Sequence, residues 1–394
     1  MKIKAILYAM ISAFFMLNSN AQDGARELLI AGFAFSGDNA TKENRFPYTT
    51  TIDKELNAEK NSLTREVTKR ATGITNPNLK IVSGKSFRTN NSDDTLNVVL
   101  VLTGETVLLE NYGNYWKIFV NLRGDALIFN YKEKSVVRTY PLNLAIFDAV
   151  DGQNKPSFAQ VKNLIRNNLL TTNKEGLVSQ FESKISTAKI ESKAKKNTFQ
   201  INSIEIKSDA EKEFPPELKN SQALMKDIIS DSLASELTSK TNINLIPPKY
   251  NGAIQAMTIQ LEDNSQQLEL KVGEADFVMN ISINKLAKAK QQQTNTEVSV
   301  LYGANTSIQL IQPDSNTTYL DATLRNGAVS ISPLNKVSTD DFPAYYDVIN
   351  GLFKKFATAV KTKDYSWIKV SSGNDKTTEQ MEAVSNLIEK GKIK

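Results

Sequence analysis

The 394-residue sequence predicts an α/β (α+β) chain of two tandem domains, each a small mixed or antiparallel sheet covered by two helices. Three observations predict this class. Segments that alternate every second residue are interleaved with segments of helical spacing. The order of those segments occurs twice. The chain has no cysteine and no apolar run of membrane-spanning length, so each domain has to close on an apolar core of its own.

The first stretch carries Lys2 and Lys4, an apolar run from Ala5 to Leu17, and then Ser19 and Ala21 at the spacing of a cleavage site. That pattern reads as a secretory signal peptide over residues 1–21, since its apolar run falls short of the roughly 20 residues a spanning helix needs. The expected location is the periplasm, or outside the cell altogether. Without cysteine, neither an acyl anchor on a mature N-terminal cysteine nor a disulfide is possible. Removal of the two lysines lowers the formal charge from +5 to +3, too mild to imply nucleic acid as a partner.

The first copy opens on a strand-like segment, Leu28 to Phe35, and a polar loop ending in Phe46-Pro47. A helical stretch follows, with Leu56, Leu63 and Val67 near one face, and then the short apolar piece Leu79 to Val82. Next come a strand over Leu96 to Leu102, a second from Tyr115 to Val120, and a hairpin from Leu127-Ile128-Phe129 through Lys132-Glu133-Lys134 to Val136-Val137. Phe158, Val161, Ile165 and Leu169 mark a closing amphipathic helix.

The second copy runs through the same order. Phe199 to Ile206 leads to Phe214-Pro215, a helix marked by Leu224, Ile228 and Leu237, and the piece Ile243 to Ile246. Strands follow over Phe277 to Ile283 and from Val298 to Tyr302. The hairpin here runs from Ile308 to Ile311 through Pro313-Asp314-Ser315 to Tyr319-Leu320. Tyr345, Ile349, Leu352, Phe356 and Val360 form the closing helix, with Asp340-Asp341 expected as its N-terminal cap. The predicted division is therefore residues 23–185 and 198–370 as domains that superpose strand for strand. Residues 186–197 form a lysine-rich linker, and 371–394 a tail whose Met381, Val384 and Leu387-Ile388 suit a short helix docked on its own domain or on a partner.

Chemistry is sparse. The chain has no histidine, which removes the commonest neutral-pH base, the commonest zinc ligand and the usual nucleophilic triads. Gly84-Lys85-Ser86 lacks the leading glycine of a phosphate-binding loop, because position 79 is leucine. Ser83 and Lys85 sit where nothing desolvates a lysine. Asp93-Asp94 reads as a turn, Asp340-Asp341 as a cap, and Asp148 to Gly152 lacks the alternating ligands of a calcium loop. Tyr112, Tyr115 and Trp116 beside Gly113 suit either a sugar-stacking platform or the start of a strand. No catalytic, cofactor-binding or metal-ligating residue is assigned, and no cofactor is expected.

Leu237-Thr238-Ser239-Lys240 leading to Ile243 to Pro247, then Gly273 to Met279 opening a strand, and the hairpin Ile308 to Leu320 give the second copy a resemblance. It resembles the N-terminal α/β domain of TolB and the related periplasmic domains of CsgG, LpoB and the flagellar ring protein FlgT. The propeller of TolB and the lipidation of CsgG and LpoB have no counterpart here, and the two-domain layout looks most like FlgT. The resemblance implies a non-catalytic adaptor or scaffold that binds a protein component of a Gram-negative envelope assembly, or its own subunits. The alternative is a secreted, carboxylate-dependent hydrolase of glycan or peptidoglycan.

Overall fold

The structure, a computed structural model, describes residues 26–37, 42–83, 96–111, 114–173, 175–190, 197–214, 222–241, 243–248, 256–261, 267–333 and 341–390. The signal-peptide segment lies outside them. In the first half the elements are β1 (Arg26–Ser36), α1 (Lys42–Arg45), α2 (Pro47–Ala58), α3 (Leu63–Ala71), β2 (Leu79–Val82), β3 (Leu96–Asn111), β4 (Tyr115–Asn130), β5 (Ser135–Asp151), α4 (Phe158–Leu170) and α5 (Leu177–Thr187). The second half continues with β6 (Thr198–Ile206), α6 (Ser208–Glu211), α7 (Gln222–Lys240), β7 (Asn244–Leu245), β8 (Ala256–Leu261) and β9 (Gln267–Lys271). It ends with β10 (Phe277–Gln293), β11 (Glu297–Gln312), β12 (Thr317–Pro333), α8 (Phe342–Thr362), α9 (Ser366–Ser372) and α10 (Asp375–Lys390).

The doubled order of the sequence becomes a doubled topology. The first half orders its strands β2-β1-β3-β4-β5 and the second β7-β6-β10-β11-β12. In each, the first three strands of that order are parallel and the rest antiparallel. Irregularities coincide as well. The ladder skips one residue at Ala31 in β1 and Asn202 in β6, at Thr103 in β3 and Asn284 in β10, and at Val137 in β5 and Tyr319 in β12. The hairpin turns match to the residue: Lys134 and Asn316, each just before the returning strand, both have φ 50°. Bulges fix twist and register, so shared bulges mean that the two sheets are built to one plan.

The expected single helical stretch of the first copy is two helices. Lys60 turns the chain through the left-handed region at φ 59°, and the Ser62 hydroxyl then accepts from the Arg65 N–H at 3.1 Å to start α3. Leu56, Leu63 and Val67 are nonetheless all buried, because the break re-aims α3 onto β1. There the Phe33 N–H donates to the Thr64 hydroxyl at 3.0 Å. A Cβ on Gly32, which has φ +93°, would lie 2.5 Å from that threonine's methyl group. α2 has no cap of its own; Glu105 on β3 accepts from the N–H groups of Tyr48 and Thr49, each at 2.8 Å.

One element departs from the repeat. The β8–β9 hairpin belongs to the second half in sequence, yet β8 pairs antiparallel with β1 (Ala34↔Leu261 to Ser36↔Ile259) and β9 meets β5 at Ser135↔Lys271. It curls the first sheet around a small core of Leu29, Val99, Val101, Leu127, Phe129, Ile259, Leu268 and Leu270. Strands from both halves thus share a seven-stranded sheet, against the expectation of halves that superpose strand for strand. The physical reason is that Leu127 and Phe129 leave an apolar second face on the first sheet, which needs cover.

Cover by two helices per sheet also proves too few. The first sheet packs its own face against α2 to α5, and the second carries α7 and α8 with α9 and α10 added. Met381, Val384, Leu387 and Ile388 of α10 are buried in the core of the second half, so the tail docks on its own domain. The lysine-rich segment begins as the last turn of α5, where Ile185 and Ala188 are buried. Residues 191–196 lie outside the described residues.

Candidate functional site

β4 shows how the halves meet. Ile118, Val120, Leu122, Ala126 and Ile128 point into the core of the first half. The alternate residues face the other way: Phe119 into the core of the second half, Leu127 and Phe129 into the hairpin core, and Arg123 and Asp125 into a cavity between them. That cavity measures about 460 Å³ and is walled by β4, β5, the end of β1, α7 and the Leu245-Ile246-Pro247-Pro248 stretch.

Arg123 reaches across it to α7, pairing with Asp227 at 2.9 Å and Asp231 at 3.4 Å. The two aspartates are four residues apart and so share one helix face. The guanidinium lies against Gly104, where a Cβ would fall 2.1 Å from a guanidinium nitrogen, so a larger residue there would have to displace the guanidinium from this position. Burial pushes the Asp125 carboxyl up to about 8, helped by the Asp231 charge and opposed by Arg123. Burial likewise raises Asp231 to about 7, with Arg123 opposing and Asp227 adding. The hydroxyls of Thr139 and Ser230 line the same cavity, are buried, and make no hydrogen bond among the described residues. Elsewhere between the halves, Arg138 donates to the Lys189 and Ile243 carbonyls, each at 2.9 Å, and Asn143 donates to the Tyr346 hydroxyl at 3.0 Å. Chemically, the pocket offers hydrogen bonds, one buried cation and carboxylates able to hold or release protons near neutral pH. Among the described residues no aromatic side chain lines it.

The residues singled out from sequence lie elsewhere. Asp341 stands at the start of α8 with helical backbone angles and makes no capping hydrogen bond; its carboxylate instead accepts from the Tyr302 hydroxyl at 2.5 Å and pairs with Lys288. Tyr115 and Trp116 open β4, both half-buried, and Trp116 donates to the Gln153 carbonyl at 3.1 Å. Ser83 meets the Thr72 hydroxyl at 3.0 Å. Asp148 and Asp151 are exposed on β5, and among the described residues no group of three or more acidic side chains is placed to hold a metal ion. Asp93, Asp94, Asp340, Gly84, Lys85, Ser86, Tyr112 and Gly113 lie outside the described residues. Sequence reasoning missed Arg123, Asp125, Asp227 and Asp231. The available signal was Arg-Gly-Asp at 123–125, opposite charges interrupting an otherwise apolar strand.

A second surface lies at the far end of β11 and β12. Leu301 and Val329 are opposite one another in the ladder and are 36% and 52% exposed; Ile331, two residues on, is 65% exposed. Among the described residues no helix is long and apolar enough to cross a membrane.

No protein-family model and no curated protein matches the chain. Among solved structures it is similar to a putative neuraminyllactose-binding hemagglutinin homolog from Helicobacter pylori, at 15% identity over 51% of this chain and 94% of that one, TM-score 0.27. A minor lipoprotein from Acinetobacter baumannii matches at 11% identity over 42% of this chain and 94% of that one, TM-score 0.21. The hypothetical protein CT253 from Chlamydia trachomatis matches at 12% identity over 49% and 98%, TM-score 0.22. Likenesses at these TM-scores carry nothing over to this chain.

Proposed function

We propose that the chain is an exported, non-catalytic adaptor or scaffold that binds a component of a Gram-negative envelope assembly from the periplasm. The observation that carries this reading is the apolar row of Leu301, Val329 and Ile331, held exposed at the end of a regular sheet. Rows of that kind on a water-soluble surface mark docking sites. The signal-peptide pattern and the resemblance to TolB-like and FlgT-like domains support the same reading. The test is recovery of crosslinked partners from envelopes by the tagged mature chain and by a V329D/I331D variant. A stoichiometric envelope protein recovered by the first and lost with the second is expected; equal recovery by both removes the row from the account.

One observation favours a second reading, a carboxylate-dependent hydrolase of glycan or peptidoglycan. Asp125 from β4 and Asp231 from α7 converge in one cavity with raised proton affinity, as an acid–base pair requires. Against it stand the ion pairs of Arg123 with Asp227 and Asp231, which hold the carboxylates in a structural role. Release of soluble fragments from peptidoglycan by the wild-type chain, abolished in D125N, would establish the hydrolase; no release by either leaves the carboxylates to the structural role.

A further inference from the structure

Because the two halves share one plan, each position in one sheet has a counterpart in the other. Phe119 and Phe147 are opposite one another in the β4–β5 ladder, and their counterparts in the β11–β12 ladder are Leu301 and Val329. Phe119 of the first pair is covered by the second half, while Phe147 beside it keeps 40% of its surface exposed. Phe342, the first residue of α8, stands edge-on to Phe119 at 5.5 Å, and Tyr346 one turn on approaches Phe147 at 6.4 Å. Phe119 is only 4% exposed as a result. One chain thus contains a contact in which the start of a closing helix seats on the far end of a sheet.

Both surfaces of that contact recur, uncovered, on the same molecule. The second sheet offers Leu301, Val329 and Ile331. The first half offers Phe158, the first residue of α4 and the counterpart of Phe342; it is 48% exposed and stacks on Tyr48 at 4.4 Å. Two unlike surfaces, each complementary to the other and located at opposite halves of one chain, make a heterologous contact that repeats from copy to copy.

We infer that the partner of the β11–β12 row is a second copy of this chain, whose Phe158 at the start of α4 seats on Leu301, Val329 and Ile331 in the manner of Phe342 on Phe119. The inference rests on the docking role of that row and names its occupant. Such a contact joins copies head to tail, giving a ring where the rotation closes and a filament where it does not. Its apolar core is small, so association is concentration-dependent and weak for a single contact.

The absence of cysteine makes the test direct. Mature chains carrying F158C alone or V329C alone are mixed under mild oxidation, alongside the double variant F158C/V329C. The expected products are a mixed disulfide dimer in clear excess over either homodimer, and a ladder of multimers from the double variant. Adding I331D should reduce the mixed product about tenfold or more, as removal of a central contact does. Circular dichroism and thermal unfolding confirm that each variant is folded. Dominant V329C homodimer, a mixed product no more abundant than random pairing, or indifference to I331D each overturns the inference. If it is overturned while V329D/I331D still loses an envelope partner, the adaptor reading stands with a different occupant. If that variant loses nothing in either experiment, both fall.

Discussion

The two sheets are alike in order, bulges and turns, and unlike on one face. On the first, Leu127 and Phe129 lie under the β8–β9 hairpin, Arg123 and Asp125 face α7, and Phe119 lies under α8. At the matching positions of β11 stand Ile311, Gln309, Ser307, Asn305 and Leu301, and they are half-buried or exposed. The difference is written in spacing: Leu127-Ile128-Phe129 is a continuous apolar run, as in a strand buried on both faces, whereas Ile308-Gln309-Leu310 alternates, as in a strand with one face in water. Two sheets of one plan therefore differ in cover, one face largely buried in the first and open in the second. The first half is the member that is enclosed, and the second half encloses it.

The largest test of that contrast compares matched positions. Phe119→Ala should cost about 3–5 kcal/mol in stability, since it empties a buried site shared by both halves. Leu301→Ala at the counterpart should change stability by about 0.5 kcal/mol or less, because the side chain is already partly in water. Denaturant unfolding of the two variants measures both. Equal costs would mean that Phe119 is not enclosed.

Arg123 and Asn305 form the next pair. Arg123→Met removes the partner of Asp227 and Asp231 and should cost about 3–5 kcal/mol, the penalty of a broken buried ion pair. Asn305→Met disturbs only the hydrogen bond from Asn284 to Asn305, 3.0 Å long, and should cost about 0.5–1.5 kcal/mol.

A smaller effect follows pH. Asp125 has its proton affinity raised from the ordinary 3.8 to about 8, so the folded chain holds a proton that the unfolded chain releases. Stability from this group is undiminished below about pH 4 and declines as pH rises toward 8. Asp231, raised in the same direction, adds to the decline. Asp125→Asn should leave the melting temperature unchanged at pH 4 and raise it by roughly 2–5 °C at pH 8. A variant equally stabilised at both values would show that the carboxyl is not protonated in the fold.

Much of this architecture was legible in the sequence. Period-two runs located the strands but not their length. Tyr115 to Val120 and Leu127 to Phe129 read as separate pieces and are one strand, β4, because the charged residues between them, Arg123 and Asp125, face the cavity. The paired order predicted two sheets of one plan. The matched hairpins could be read from Lys132-Glu133-Lys134 and Pro313-Asp314-Ser315. The α2–α3 break was not read, since Ser62 begins a helix only if the chain first turns at Lys60. The hairpin's place was not legible because Met257 to Leu261 alternates like any half-covered strand, and alternation does not name the neighbour. The cavity escaped for a similar reason: Arg123 and Asp227 are about a hundred residues apart, and only the packing of α7 on the first sheet brings them together.

Amide hydrogen exchange of the chain, followed strand by strand, tests the enclosure most directly. If β8 is an integral strand of the first sheet, the amides bonded in the Ala34↔Leu261 to Ser36↔Ile259 ladder should be as strongly protected as those between β1 and β3, and should open with them. Fast exchange over 256–261 and 267–271 while β1 and β3 stay protected would contradict the account, leaving the first sheet without the cover that distinguishes it from the second.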